Sequence, residues 1–500
     1  MVDTPSSLPD PGLFRIPPAA VARHPAVLLA PRELRTWIDT LPMANPPRAA
    51  QMLMQQLRLL VRDPQPGTRF GALLELYDAP LDQLLQIIHE RMQGNPDSAV
   101  PLDQLEYQLV ELLVELAHGY LRLANELLRG GKPAPAQILF RAMNLLDSAT
   151  NIERLHYHRL TPDGWRLLLN VFVHAERQGS SRQAIKAASA QGGDPGTVRG
   201  LFFRSLVVSL CDPHRHRPSQ ILSWLHWAGQ HSDALQLTVL PQGAYSIPLD
   251  ISGTLPPLAS ARRGKPGPDV RYVAADAFLQ QLQSDPMAPK GLQHALMDVI
   301  KGRKTPEQRQ SPRQPRNHPY RLLYGLRAIH HRLKELTQGT APHGQAFSPL
   351  ACRQVNQSRS GAAFHLQGPL NPPLNVGEPV LAEAETTTSG GAPVGFAARV
   401  LRLASNELNE IEIGVEKLQG RLIPVTIAGA AADRGRFDNH ALLQHAMDSG
   451  RFTLIAARNL YREGDIISVE GPSTRYNLRM LDITAVVQST AYIDVEVAEA

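Results

Sequence analysis

Apolar residues recur every three to four positions along most of the stretch from Pro31 to Gln230, the period of helices that bury one stripe. The longest stripe passes through Leu102, Leu105, Leu109, Leu112, Leu113, Leu116, Tyr120, Leu123 and Leu127. Asp97 or Ser98 stands where a cap is needed, and Gly130-Gly131 where the helix must stop. Glu106, Glu111, Glu115 and Arg122 fall on the opposite face. Shorter amphipathic segments occupy Ala49–Val61, Phe70–Tyr77, Leu81–Met92, Ala136–Leu160, Asp163–Arg177, Thr197–Leu210 and Pro218–His231. Brief Pro, Gly and Asp punctuation separates them, so the spacing predicts antiparallel helical hairpins in a bundle or solenoid. No fixed period recurs, and a consensus repeat array is not supported.

The pattern then changes. Leu235–Leu249 mixes short β-like runs, Gly253–Pro257 and Arg262–Pro268 read as linker, and Val270–Ile300 returns to helix. Gly302–Pro319 is basic and proline-rich, a solvated linker arm by composition, and Tyr320–Leu336 reads as a helix rich in His and Arg. From Val355 to Leu366 the chain reads strand, tight turn, strand. Asn356, Ser358 and Ser360 are turn formers. Gly361 closes the turn, where a positive φ or a close backbone approach is needed. Ala362, Phe364 and Leu366 alternate as one face. Ile411, Ile413 and Val415 alternate against Glu410, Glu412 and Glu416, as in a half-buried strand. Pro424–Ile427 is expected as the last strand of this barrel. Phe452–Ala456, Ile466–Glu470, Tyr476–Leu481 and Tyr492–Val497 are expected as strands of a further module.

Composition narrows the chemistry. The 500 residues carry a net charge of +5, too weak a bias over this length to indicate DNA or RNA binding, though it suits a partner with a few phosphates. Two cysteines make no disulfide framework and suit a reducing cytoplasm. The N-terminal residues lack a basic run followed by an apolar one, so no signal peptide is expected. No run of apolar residues is long enough for membrane insertion. Phosphate-loop, metalloprotease and nucleophile-elbow patterns are missing, so binding is expected rather than catalysis. Gly192-Gly193-Asp194 reads as a loop. Cys211, His214 and His216 lack a second cluster to complete a metal site. His156 and His158 are expected to be partly exposed on a helix, and Trp224 and Trp227 to lie in the core.

The spacing Asn356-x-Ser358-x-x-Gly361 sets an amide and a hydroxyl side by side at a strand end, beside a residue without a side chain. Such a surface can hydrogen-bond a planar base edge. Upstream lie Arg309 and Arg313, with Arg316 beyond; guanidinium groups pair with guanine O6 and N7, bind phosphate and stack on bases. Arg-x-x-x-Arg followed by Asn-x-Ser-x-x-Gly resembles the PilZ domain, a small β-barrel receptor for cyclic di-GMP. Asn409–Leu418 is similar to the late strand of that domain, which reads xIGVxF in many members. Phe396–Leu403 and Val376–Val380 are similar to earlier strands. The resemblance covers about a quarter of the chain. Asn stands where Asp is commoner, and an amide can both donate and accept. Arg313 and Asn356 are further apart than the family pattern leads one to expect, the extra length being the His- and Arg-rich insert.

The pattern and the resemblance together lead one to expect an α+β multidomain protein. A flexible segment (1–30) precedes an all-α helical-hairpin domain (31–250) and a connector with a helix (251–308). A PilZ-like antiparallel β-barrel (309–430) and a small C-terminal β module (431–500) follow. The resemblance implies binding of cyclic di-GMP without turnover, no metal and no other cofactor. Arg309 and Arg313 would contact guanine, with Arg316 and Arg359 as alternates. Asn356 and Ser358 would bond a base edge or phosphate, and Gly361 would admit the ligand. The helical domain would present the output surface to protein partners, in motility, type IV pili or biofilm control by family analogy. The alternative is a PilZ-like adaptor that binds no nucleotide and acts through protein contacts alone.

Overall fold

The computed structural model describes residues 8, 12–94, 103–186, 196–261, 267–301, 312–338, 348–368, 370, 374–385, 395–406, 410–428, 439–446, 451–457, 462–487 and 490–498. The chain divides into two compact units, Met1–Arg309 and Gln310–Ala500.

The first unit opens with helices α1 (Pro31–Ile38), α2 (Pro46–Val61), α3 (Phe70–Glu75), α4 (Asp78–Gly94), α5 (Gln104–Arg129), α6 (Ala136–Leu155), α7 (Pro162–Arg177), α8 (Val198–Leu210) and α9 (Pro218–His231). Helix α5 lies against both α2 and α6. Asp97 and Ser98 lie outside the described residues; the cap is Asp103. Its carboxylate accepts from the Glu106 amide at 2.9 Å, and the Glu106 carboxylate accepts from the Asp103 amide at 2.9 Å, a reciprocal capping box. The predicted polar face of α5 is not solvated throughout. Glu106 and Glu115 are buried, paired with His156 and with Arg62 and His118, because neighbouring helices cover that side too. Gly119 marks the closest crossing: a Cβ there would meet Leu74 Cδ2 at 2.7 Å and Val61 Cγ2 at 3.1 Å.

Helix α6 ends at Leu155, short of the expected Leu160, because Tyr157 takes a left-handed backbone with φ 60°. Arg154 on its last turn is fully buried and donates to Ser205 Oγ (2.8 Å), Ser209 Oγ (2.5 Å) and Asn151 Oδ1 (2.8 Å). These bonds tie α6 to α8 and satisfy a cation removed from water. The described residues before α1 are held to the helices rather than free. Asn125 accepts from the Phe14 amide at 2.8 Å and donates to the Phe14 carbonyl at 2.9 Å. Arg177 donates to the Leu8 carbonyl at 3.1 Å, and Leu8 and Phe14 join the core.

Residues past α9 complete the same unit. Strands β1 (Gln236–Thr238), β2 (Ser246–Asp250) and β3 (Val270–Ala274) form an antiparallel sheet in the order β1-β3-β2. Val270–Ala274, expected as helix, is instead strand β3, with Val273 paired on both sides and Val270 with β2. Helices α10 (Pro257–Ala261), α11 (Asp276–Ser284) and α12 (Leu292–Ile300) follow. Val273, Phe278 and Leu292 pack into the core that holds Trp224 and Trp227, so 251–301 belongs to the helical unit rather than forming a connector.

The second unit holds two closed barrels. The first comprises β4 (Gln314–Tyr324), β5 (Leu350–Gln357), β6 (Gly361–Gln367), β7 (Pro379–Ala384), β8 (Gly395–Ser405) and β9 (Glu410–Lys417), with helix α13 (Leu326–Gln338) inserted between β4 and β5. Its order is β4-β5-β6-β9-β8-β7, closed by antiparallel pairing of β4 with β7. The expected helix from Tyr320 begins only at Leu326, because Tyr320–Leu322 are paired on both sides in β4 and Leu323 and Tyr324 with β7. The second barrel comprises β10 (Arg421–Ala428), β11 (His440–Ala446), β12 (Arg451–Ala457), β13 (Ile466–Glu470), β14 (Arg475–Val487) and β15 (Thr490–Val497). Its order, β10-β11-β12-β15-β14-β13, closed by β10 and β13, repeats the path of the first. Pro424–Ile427 therefore opens the second barrel rather than closing the first, and the boundary expected at 430 falls between Lys417 and Arg421.

The barrels meet through apolar side chains: Leu323, Ile329 and Leu381 from the first, Leu442, Ile455 and Tyr492 from the second. The Tyr492 hydroxyl donates to the Gly377 carbonyl at 2.9 Å. Helix α13 packs on both barrels, with the buried His330 ring 4.6 Å from that of His440. Among the described residues no helix is long and apolar enough to cross a membrane.

Candidate functional site

Register brings the described end of the basic arm, from residue 312, and the turn motif to one end of the first barrel. Gln314 pairs with Gln357 and Pro315 with Asn356, so Arg313 enters the barrel beside Ser358. Two irregularities mark this corner, between Pro315 and His318 in β4 and between Gln354 and Asn356 in β5. Bulges of this kind re-aim side chains at barrel rims. Arg309 lies outside the described residues. Arg313, Arg316 and Arg359 are exposed, and Arg316 donates to Gln314 Oε1 at 2.8 Å. Asn356 is half-buried, and its Oδ1 is buried without a hydrogen-bond partner among the described residues.

Ser358 and Gly361 have structural duties. The Ser358 amide donates to the Gly361 carbonyl at 2.8 Å, and Ser358 Oγ accepts from the Gly361 amide at 3.1 Å, which holds the turn closed. Gly361 has no positive φ. A Cβ there would sit 2.5 Å from the Val415 carbonyl oxygen, so its missing side chain lets β9 approach β6.

The outer face beyond the turn was not legible from the motif. Asn356 pairs with Ala363, Ala363 with Gly414 and Gly414 with Arg402. Two residues with little or no side chain thus lie between an amide and a guanidinium. One row nearer the turn, Gly361 pairs with Glu416, whose carboxylate accepts from Arg399 at 2.9 Å. One row further, His365 Nε2 lies 3.9 Å from Glu412 Oε2, and Arg353 donates to Asn317 Oδ1 at 2.8 Å. Arg399 and Arg402 could be found only by adding the register of β8 to its alternation.

The inner side of the same rim is aromatic. Phe364 is fully buried, with the Tyr320 ring 5.5 Å and the Phe396 ring 6.2 Å away. Lys417 Nζ stands 4.8 Å above the centroid of Phe396, and partial burial holds its ammonium below the ordinary lysine range.

Elsewhere the candidate groups resolve differently. No cluster of His, Cys, Asp or Glu able to hold a metal occurs among the described residues. Burial pushes the Cys211 thiol well above its ordinary range and the Cys352 thiol up to about 12. His156 is partly exposed as expected, whereas His158 is buried. Both follow the end of α6 at Leu155; His156 Nε2 pairs with Glu106 at 3.2 Å, and burial pushes His158 down to about 4. Gly192-Gly193-Asp194 lies outside the described residues.

Residues 32–242 are similar to the N-terminal domain of the cyclic-di-GMP receptor FimW. The match runs from α1 through β1 and stops before β2. It concerns the helical unit, and both barrels lie beyond it. No curated protein matches the chain.

Proposed function

We propose that this protein is a cytoplasmic receptor for cyclic di-GMP, bound without turnover at the turn end of the first barrel. The observation that carries the reading is the pairing of Gln314 with Gln357, which sets Arg313 beside the Asn356–Gly361 turn. An exposed cationic arm, the unpartnered Asn356 Oδ1 and the PilZ-like spacing together suit a guanine nucleotide. The FimW-like helices support the same ligand independently, because they lie in the other unit. On this reading Arg309, Arg313, Arg316 and Arg359 supply cations, and Asn356 and Ser358 supply polar contacts. The helical unit carries the signal to a protein partner, with motility, type IV pili or biofilm control as the setting by analogy.

A second reading is an adaptor that binds no nucleotide. It is favoured by the internal bonds of Ser358 and the packing role of Gly361, which account for two motif positions without a ligand. Isothermal titration of the full chain with cyclic di-GMP separates the two. Saturable heat, with affinity falling roughly ten- to hundred-fold in Arg313→Ala for a lost bidentate guanine contact, supports the receptor. A folded chain that gives no heat supports the adaptor.

A further inference from the structure

We infer that Lys417 is an anion-binding residue at the inner rim of the first barrel and contacts a phosphate of the nucleotide. This rests on the receptor reading above and adds a residue outside its arginine and turn motifs. Lys417 is the last residue of β9. It continues the face of Ile413 and Val415, both buried in the barrel. At that position the PilZ-like strand pattern leads one to expect an aromatic residue, and a long cation stands there instead. Its backbone amide donates to the Ser360 carbonyl at 2.8 Å, so the residue is latched to the turn that carries Asn356 and Ser358.

The ammonium is oriented but not neutralised. It sits 4.8 Å over the Phe396 ring, and the faces of aromatic rings attract cations without consuming their charge. Among the described residues no carboxylate lies within ion-pair reach of it. The adjacent Glu416 lies on the alternate face of β9 and accepts from Arg399 at 2.9 Å. A half-desolvated cation without a counter-ion gains more from an arriving phosphate than a fully hydrated one does. Arg313 and Arg359 flank the same rim from the arm and the turn tip. A diester with two phosphates would therefore meet cations from two sides.

The test is titration of the full chain with cyclic di-GMP for the native protein, Lys417→Met and Lys417→Arg. Methionine keeps an unbranched stem over Phe396 and removes the charge. The expected result is affinity about tenfold weaker in Lys417→Met, the loss of one charge-assisted contact, with a shallower dependence on salt. Lys417→Arg should retain near-native affinity. If Lys417→Met changes the circular dichroism, Lys417→Gln takes its place with the same expectation. Native binding with unchanged affinity and salt dependence in the neutral variant overturns the role of Lys417 alone. A folded Lys417→Arg that binds as weakly as Lys417→Met does the same, since packing rather than charge would then matter. No binding by the native chain overturns both the receptor reading and this inference.

Discussion

Gly361→Ala isolates what the turn motif does for the fold from what it does for a ligand. The added methyl would lie 2.5 Å from the Val415 carbonyl oxygen, 3.7 Å from its carbonyl carbon and 3.9 Å from Glu416 Cα. The obstacle is backbone of the paired strand, so no rotamer change relieves it. Strands β6 and β9 must part by the better part of an ångström, against the bond from the Lys417 amide to the Ser360 carbonyl. Overpacking of this kind costs about 1–3 kcal/mol, which for a unit of this size lowers Tm by about 2–4 °C per kcal/mol. Calorimetry should therefore show the barrel transition lowered by roughly 2–12 °C. All four tryptophans, at 37, 165, 224 and 227, lie in the helical unit, so their fluorescence transition should not move. Gly414→Ala is the matched control, because its Cβ would meet only Arg402, at 3.4 Å from Cβ and 3.9 Å from the carbonyl oxygen. An unchanged barrel transition in Gly361→Ala would refute the close-approach account and return the glycine to ligand access.

Two further predictions concern the helical unit. Asn125→Leu leaves the Phe14 amide and carbonyl buried without partners, at a cost of about 2–4 kcal/mol, and should expose residues 12–16 to hydrogen exchange while α5 stays protected; protection at Phe14 equal to the native chain would contradict this. His158 has a folded pKa of about 4, below the ~6.5 of an unfolded histidine. The unfolded chain takes up a proton that the fold refuses, so this contribution is whole above about pH 6.5 and is lost as pH falls toward 4, by at most about 3 kcal/mol. Denaturation followed by tryptophan fluorescence should show a flatter acid limb in His158→Gln, and identical slopes would refute the assignment.

How far the fold could be read from residues depended on whether its determinants are local. Helices α2 to α9 were legible because each carries its own apolar stripe. The α5 cap was readable in retrospect: Asp103 and Glu106 are three apart, as a capping box requires, whereas Asp97 and Ser98 are merely polar. The second barrel was harder. Only residues 418–420 separate β9 from β10, with none of the Pro, Ser or Gly run that marks a linker. The identity of β10 rests on pairing with β11 and β13, partners that come later in the chain. The N-terminal clamp has no periodicity at all, since its bonds to Asn125 use backbone groups that every sequence possesses. At the site, the motif spacing led to Asn356, Ser358 and Gly361, but Arg399, Arg402 and Lys417 become neighbours only through the register of β8 and β9.

The apolar seam shared by the two barrels decides how this protein can be divided. A fragment ending at Lys417 would leave Ile329, Leu381 and Leu323 facing water where Leu442, Ile455 and Tyr492 now cover them. It would also strip one of the two supports from α13. Such a truncation should self-associate or precipitate, and any loss of nucleotide affinity in it would say nothing about the rim. The smallest portable piece therefore spans both barrels, from Gln314 through Val497.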